Sequence, residues 1–194
     1  DSEQKFRRFI ETANEGVWSM DKDHKTTLVN QKMLDMLGFT SGEMIGFPVT
    51  SFMYDEDLTG HRERMESRKH GKDAFYQHRF RHKDGHEVWT LVSATALKSE
   101  DGEFAGSFAM FTDITEMKKT LQALSESEQQ YKAVVDNIEI GITVLNPKME
   151  IVSVNRFFRN YFPEVAPGSS QTCYEQFNSP PRSGPCDYCP CVLT

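Results

Sequence analysis

The residues most able to do chemistry in this sequence are four cysteines, all at or beyond position 173: Cys173, Cys186, Cys189 and Cys191. Cys186 and Cys189 have the x2 spacing of a chelating pair, set in the run Pro185-Cys186-Asp187-Tyr188-Cys189-Pro190. Four thiolates can close a tetrahedral zinc site or hold an iron–sulfur cluster. A redox dithiol is the competing reading, and unpaired surface thiols are the third. Cys191 follows Cys189 too closely for a second C-x-x-C pair. Confinement of every cysteine to one Pro-flanked knot points to metal or redox chemistry there.

The histidines are less informative. His78, His82 and His86 recur every four residues. On one strand, His78 and His82 would lie about 13 Å apart, too far to share a metal ion, so a solvated or partly packed strand face is expected. His61 and His70 stand among Arg62, Arg64, Arg68 and Lys69 and are expected to be solvated. His86-Glu87 repeats the dipeptide of a kinase phosphoacceptor, but on a strand after a turn it has the wrong context. No Walker loop, nucleophile elbow, metalloprotease pattern or kinase ATP-binding signature is present, so this segment is not expected to be an enzyme.

Composition excludes further classes. The 194 residues carry a net charge of −7, and neither half of the chain is basic, which argues against a nucleic-acid-binding face. No apolar run approaches the roughly 18 residues of a membrane span. Fourteen Phe, six Tyr and two Trp supply bulk for a core. The first 172 residues hold no cysteine, so no disulfide scaffold is expected there and a cytoplasmic, reducing compartment is. The chain begins at Asp1 with no targeting pattern and is expected to be a segment of a longer protein.

The elements that position these residues are organised by a repeat. Ser2-Glu3-Gln4-Lys5-Phe6 returns as Ser127-Glu128-Gln129-Gln130-Tyr131, an offset of 125. At that offset Gly16 falls on Gly141, Val17 on Ile142, and Val29-Asn30 on Val154-Asn155. Apolar anchors return while the residues between them differ, as in two copies of one fold. In the first copy, 16–21 and 25–30 read as short strands, 33–37 as a short helix closed by Gly38, and Pro48–Met53 as another turn. Asp55-Glu56-Asp57 reads as the cap of a longer helix ending in Arg68, Lys69 and His70. Residues 73–82, 86–98 and 103–113 read as long strands, joined by two turns that end in Asp-Gly. This is an α+β plan, a five-stranded antiparallel sheet with short helices on one side. In the second copy, strands are expected at 141–146 and 149–155 and a helix at 156–162. Between the copies, Ile114, Met117, Leu121, Leu124, Glu128, Tyr131, Val135 and Ile138 step by alternating 3 and 4, an a/d seam with a polar interruption. It reads either as an amphipathic helix on its own domain or as a parallel dimer helix.

The order of these elements resembles a PAS (S-box) sensory domain of bacterial and archaeal sensor histidine kinases. The resemblance rests on Gly16, Asn30, Leu37-Gly38-Phe39, Asp55-Glu56-Asp57-Leu58, Lys83-Asp84-Gly85 with Trp89, Asp101-Gly102 with Gly106, and Asp113-Ile114-Thr115-Glu116. It implies a PAS domain over 1–115, a helical linker over 116–130 and the first part of a second PAS domain over 131–194. It also implies a pocket between sheet and short helices, with Trp18, Asn30, Phe52, Phe80, Leu91 and Phe108 as candidate lining for a small-molecule ligand. Asp113 and Thr115 would relay the signal from the sheet, or simply cap the next helix. Flavin and haem are not expected in the first domain: residues 31–71 lack a cysteine, and His61 and His70, on the helix where haem-binding relatives carry theirs, are surrounded by arginine and lysine and read as solvated. The Cys-Tyr and Pro-Cys-x-x-Cys-Pro pattern resembles one in a subset of PAS domains from anaerobes. The implied function is a tandem sensory module, homodimeric through its linker helices, with a histidine kinase downstream in the same chain. A nucleotide cyclase or transcription regulator is the alternative output. The rival class is a metal- or cluster-binding redox protein that uses its PAS domain for dimerisation.

Overall fold

The computed structural model describes residues 2–70 and 74–189 and divides the chain into two compact units, 1–121 and 122–194. In the first unit, helix α1 (Ser2–Glu11) leads into strands β1 (Gly16–Asp21) and β2 (Thr26–Val29), then helices α2 (Gln31–Leu37) and α3 (Ser41–Met44). Two 3-10 turns, Val49–Phe52 and Asp55–Asp57, precede helix α4 (Leu58–Lys69). Strands β3 (Ala74–Arg81), β4 (Glu87–Lys98) and β5 (Phe104–Asp113) follow, and helix α5 runs over Thr115–Asn137. The sheet is five-stranded in the order β2-β1-β5-β4-β3, with every pairing antiparallel. This is the α+β plan read from the sequence, with its three long strands last.

Each long strand buries alternate residues. On β4, Val88, Thr90, Val92 and Ala94 are buried, and on β5 Ser107, Ala109 and Phe111 are. The apolar ones meet Trp18 and Met20 of β1 and, from the helices, Met33, Leu34, Leu37, Met44 and Met65 in one core. Asn30 holds the entry to α2. Its Oδ1 accepts from Val17 N–H at 2.8 Å and Met33 N–H at 3.0 Å. Its Nδ2 donates to the carbonyls of Ile10 and Glu15 at 2.9 and 3.0 Å. One fully buried side chain thus ties α1, β1 and α2 together.

The acidic run before α4 behaves differently from the reading above. None of these acids makes a side-chain cap to the helix. Asp57 instead accepts from Arg79 Nε at 2.8 Å, and Glu56 and Glu87 bind the same guanidinium. A bidentate-capable arginine brought close by the sheet outcompetes the local backbone for these carboxylates.

In the second unit, β6 (Thr143–Leu145) and β7 (Ile151–Val154) form a hairpin, followed by α6 (Arg156–Tyr161) and α7 (Cys173–Gln176). Ile151, Val154 and Val165 make a small core with Leu145 and Phe158 packed on it. Asn155 accepts from Ile142 and Phe158 N–H and donates to the carbonyls of Val135 and Ile140. Each partner lies 125 positions after the corresponding partner of Asn30. The seam residues Met117, Leu121, Leu124 and Tyr131 of α5 are all more than half exposed. No helix among the described residues is long and apolar enough to cross a membrane.

Candidate functional site

Between the sheet of the first unit and its helices lies a cavity of about 20 Å³ of water-accessible volume. Trp18, Met20 and Phe111 contribute from β1 and β5, Tyr76 and Phe80 from β3, and His61 and Arg68 from α4. Of the candidate lining residues, Trp18 and Phe80 stand in this wall. Phe52 is buried in the core, its ring 5.5 Å from Trp18, without lining the cavity. Asn30 is fully buried but spent on the α2 entry. Leu91 and Phe108 lie on the opposite sheet face: Val92 and the pair Ala109 and Phe111 take the cavity side. A strand alternates faces residue by residue, so choosing the bulky residue one position out of phase places it on the wrong side.

The cavity has an unexpected polar edge. His61, Met65 and Arg68 fall on one face of α4, at i, i+4 and i+7, and all three are buried. His61 is therefore not solvated, whereas His70 is exposed. The arginines in its neighbourhood predicted a wet face, but the helical spacing to Met65 was the better guide. Arg68 donates from Nη1 to Ser107 Oγ at 3.0 Å and from Nη2 to Tyr76 Oη at 3.2 Å, and its Nη1 also lies 3.2 Å from Met65 Sδ. Its Nε–H has no acceptor. His78, expected on a solvated or partly packed strand face, is 5% exposed. Its Nδ1 lies 3.4 Å from an Arg64 Nη, which can only donate, so the ring proton belongs on Nε2, an atom with no partner.

Burial above all, reinforced by the charges of His78, Arg64 and Arg68, pushes His61 down to about 3. Burial and then Arg64 push His78 down to about 4. Both rings are neutral at pH 7. Below the ordinary histidine value of 6.5 the unfolded chain takes up protons that the folded chain refuses, so stability falls with pH between 6.5 and 4. The slope should reach about 1.4 kcal/mol per pH unit for each histidine. Urea midpoints measured from pH 7 to 4 check this. His61→Met should remove about half of the slope, and an unchanged slope would clear these rings of responsibility.

The cavity as it stands admits about one water-sized group. Metal-ligand geometry occurs elsewhere. His82 and His86 oppose each other across the β3–β4 turn with rings stacked at 4.2 Å, and both Nδ1 atoms approach Asp84 Oδ1, at 2.9 and 2.5 Å. The three ligand atoms lie within 4.8 Å of one another, the only such group of three among the described residues. Counting along one strand missed this pair, because the turn Lys83-Asp84-Gly85 folds His86 back onto His82. The described cysteines do not converge in this way. Cys173 opens α7, Cys186 Sγ sits 3.8 Å from the Asn178 side chain, and Cys189 N–H donates to the Cys186 carbonyl. Cys191 lies outside the described residues.

Asp113 and Thr115 stand where β5 passes into α5. Thr115 N–H donates to Asp113 Oδ1 at 2.8 Å, and Thr115 Oγ1 accepts from Trp89 N–H at 2.9 Å. Ile114 N–H donates to the Trp89 carbonyl at 2.8 Å, and Lys118 Nζ sits 4.1 Å above the Trp89 ring. Strand β4 is thereby bonded directly to the first turn of α5.

Comparison with known proteins agrees with this architecture. A family model described as a PAS domain matches residues 14–116. A probable diguanylate cyclase of Escherichia coli is 25% identical over 170 residues, covering 86% of this chain and 15% of that protein. Sporulation kinase C of Bacillus subtilis is 22% identical over 171 residues, covering 84% of this chain and 40% of that one. The chain thus spans less than half the length of either relative. Among solved structures, a PAS domain from Colwellia psychrerythraea superposes with a TM-score of 0.56 at 19% identity, over 60% of this chain and 99% of that one. A LOV protein of Rhodobacter sphaeroides gives 0.54 at 15% identity, over 66% and 76%. With its sheet order, its helices and a family match over more than half its length, the chain belongs to the PAS-domain family of sensory modules.

Proposed function

We propose that this chain is the cytoplasmic input segment of a longer signalling protein, with histidine-kinase output, that passes a change in its PAS sheet into helix α5. The observation that carries the reading is the bonding of Trp89 on β4 to Ile114, Thr115 and Lys118 at the start of α5. A shift of the central sheet has to move or break those bonds, so it is delivered to the helix at one defined point. Likeness to Sporulation kinase C supports kinase output, and likeness to the diguanylate cyclase supports the alternative. The Asn155 hydrogen bonds support reading residues 131–194 as the opening of a second PAS copy, with 116–130 as linker. The exposed α5 seam supports homodimerisation through that helix, a weak association since Glu128 interrupts the stripe. Confinement of cysteine to positions 173–191 fits a reducing cytoplasm.

The test uses the full-length protein. Thr115→Ala, Asp113→Ala and the seam double variant Leu121→Asp with Leu124→Asp should each shift basal autophosphorylation several-fold while circular dichroism keeps the strand signal. Wild-type output from all three, with the fold intact, would end the relay reading.

A further inference from the structure

Arg68 is an anomaly in the core of the first unit. Its residue surface is 2% exposed, and a guanidinium stays charged at any pH a protein meets. Yet its contacts, Ser107 Oγ, Tyr76 Oη and Met65 Sδ, are all neutral. The carboxylates of Glu56, Asp57 and Glu87 are committed to Arg79. Among the described residues no carboxylate pairs with Arg68. A buried charge with no counter-charge is strongly unfavourable, and neither His61 nor His78 can supply a negative one.

Two donors at this spot are unspent. Arg68 Nε–H has no acceptor. Tyr76 Oη accepts from Arg68, which leaves its own proton available, whereas Ser107 already donates to the Thr95 carbonyl. Arg68 and Tyr76 both line the cavity, whose remaining wall is largely aromatic and aliphatic. A water molecule there would satisfy a donor but would bring no counter-charge. We propose that the cavity binds a single halide ion, held by Arg68 Nε–H and the Tyr76 hydroxyl. At about 20 Å³ the space takes one atom-sized anion and is too small for the carboxylate of even a one- or two-carbon acid. The inference deepens the sensory reading by naming a class of input, and its test reads binding alone, so its failure leaves the relay reading to stand or fall on the junction variants.

The experiment titrates the 194-residue chain with sodium chloride against sodium acetate and sodium gluconate at constant ionic strength, both carboxylates being too large for the cavity. Melting temperature and Trp18 emission are recorded. Chloride should raise the melting temperature saturably, as ligand linkage requires, and shift the emission with the same midpoint. Acetate and gluconate should give no saturable response. Arg68→Gln should abolish the saturable effect. Tyr76→Phe keeps the ring and the arginine, so it serves if Arg68→Gln fails to fold, and should weaken the midpoint about threefold. No saturable response to chloride, an equal response to acetate, or wild-type midpoints in both variants, would overturn the proposal.

Discussion

Asn30→Ala should cost the first unit about 4 kcal/mol, since it strips partners from buried backbone groups that each cost about 1–3 kcal/mol when left unsatisfied. Four hydrogen bonds disappear at once, and they join three elements rather than one: Ile10 on α1, Glu15 and Val17 at β1, and Met33 on α2. For a domain of marginal stability this is a large part of the total. Asn30→Asp is the informative control. It keeps the acceptor for the two N–H groups but turns a carboxylate toward the carbonyls of Ile10 and Glu15. It should therefore retain the α2 cap while releasing α1. Urea denaturation reads the cost, and hydrogen exchange at Val17 and Met33 reads which bonds survive. Asn155→Ala should act in the same way on residues 135–158. A loss below about 1 kcal/mol at Asn30 would mean that water replaces the side chain without penalty.

Gly106→Ala should be the most damaging small change in the sheet, at about 3 kcal/mol or more, because a forbidden backbone conformation and a main-chain clash coincide. Gly106 has φ +153°, and a Cβ there would stand 2.1 Å from the carbonyl oxygen of Met20. The atom it meets is backbone on β1, which cannot rotate away. Since β5 is paired with both β1 and β4 at this residue, relief would require parting the central strands. Gly102→Ala separates the two causes. Its φ is +83° but a Cβ there meets open space, so only the conformational cost of about 1 kcal/mol remains. Equal losses at the two positions, measured by thermal unfolding, would remove the steric argument.

Much of this architecture is legible without coordinates because it is written in local signals. The Asp-Gly turns place the long strands to within a residue or two, since a tight hairpin demands positive φ at known positions. The recurrence of Asn at 30 and 155 marks the entry to a helix in each unit. Local reading stumbles where the competitor for a side chain is remote. Asp55, Glu56 and Asp57 have the composition of a helix cap, but Arg79 arrives from a strand more than twenty residues away and takes two of them. Leu91 and Phe108 are apolar strand residues like their neighbours, and only the pairing register decides which of two adjacent residues faces the helices.

The sequence by itself determined the family, the class of fold, the order and number of the strands in the first unit, and the internal repeat at offset 125, because hydrophobic period, turn chemistry and cap residues act over a few positions of chain. Only the tertiary structure decided the chemistry. It set Arg68 and two neutral histidines in the core, turned His82 and His86 onto one carboxylate, and bonded Trp89 to the first turn of α5. Each of these depends on groups meeting from different elements in a medium that excludes water, where burial, with positive neighbours, keeps a histidine neutral and where the described partners of an arginine are all neutral. A run of arginines and histidines on a helix has the same composition in solvent and in a core, and the difference arises only when the sheet closes over it.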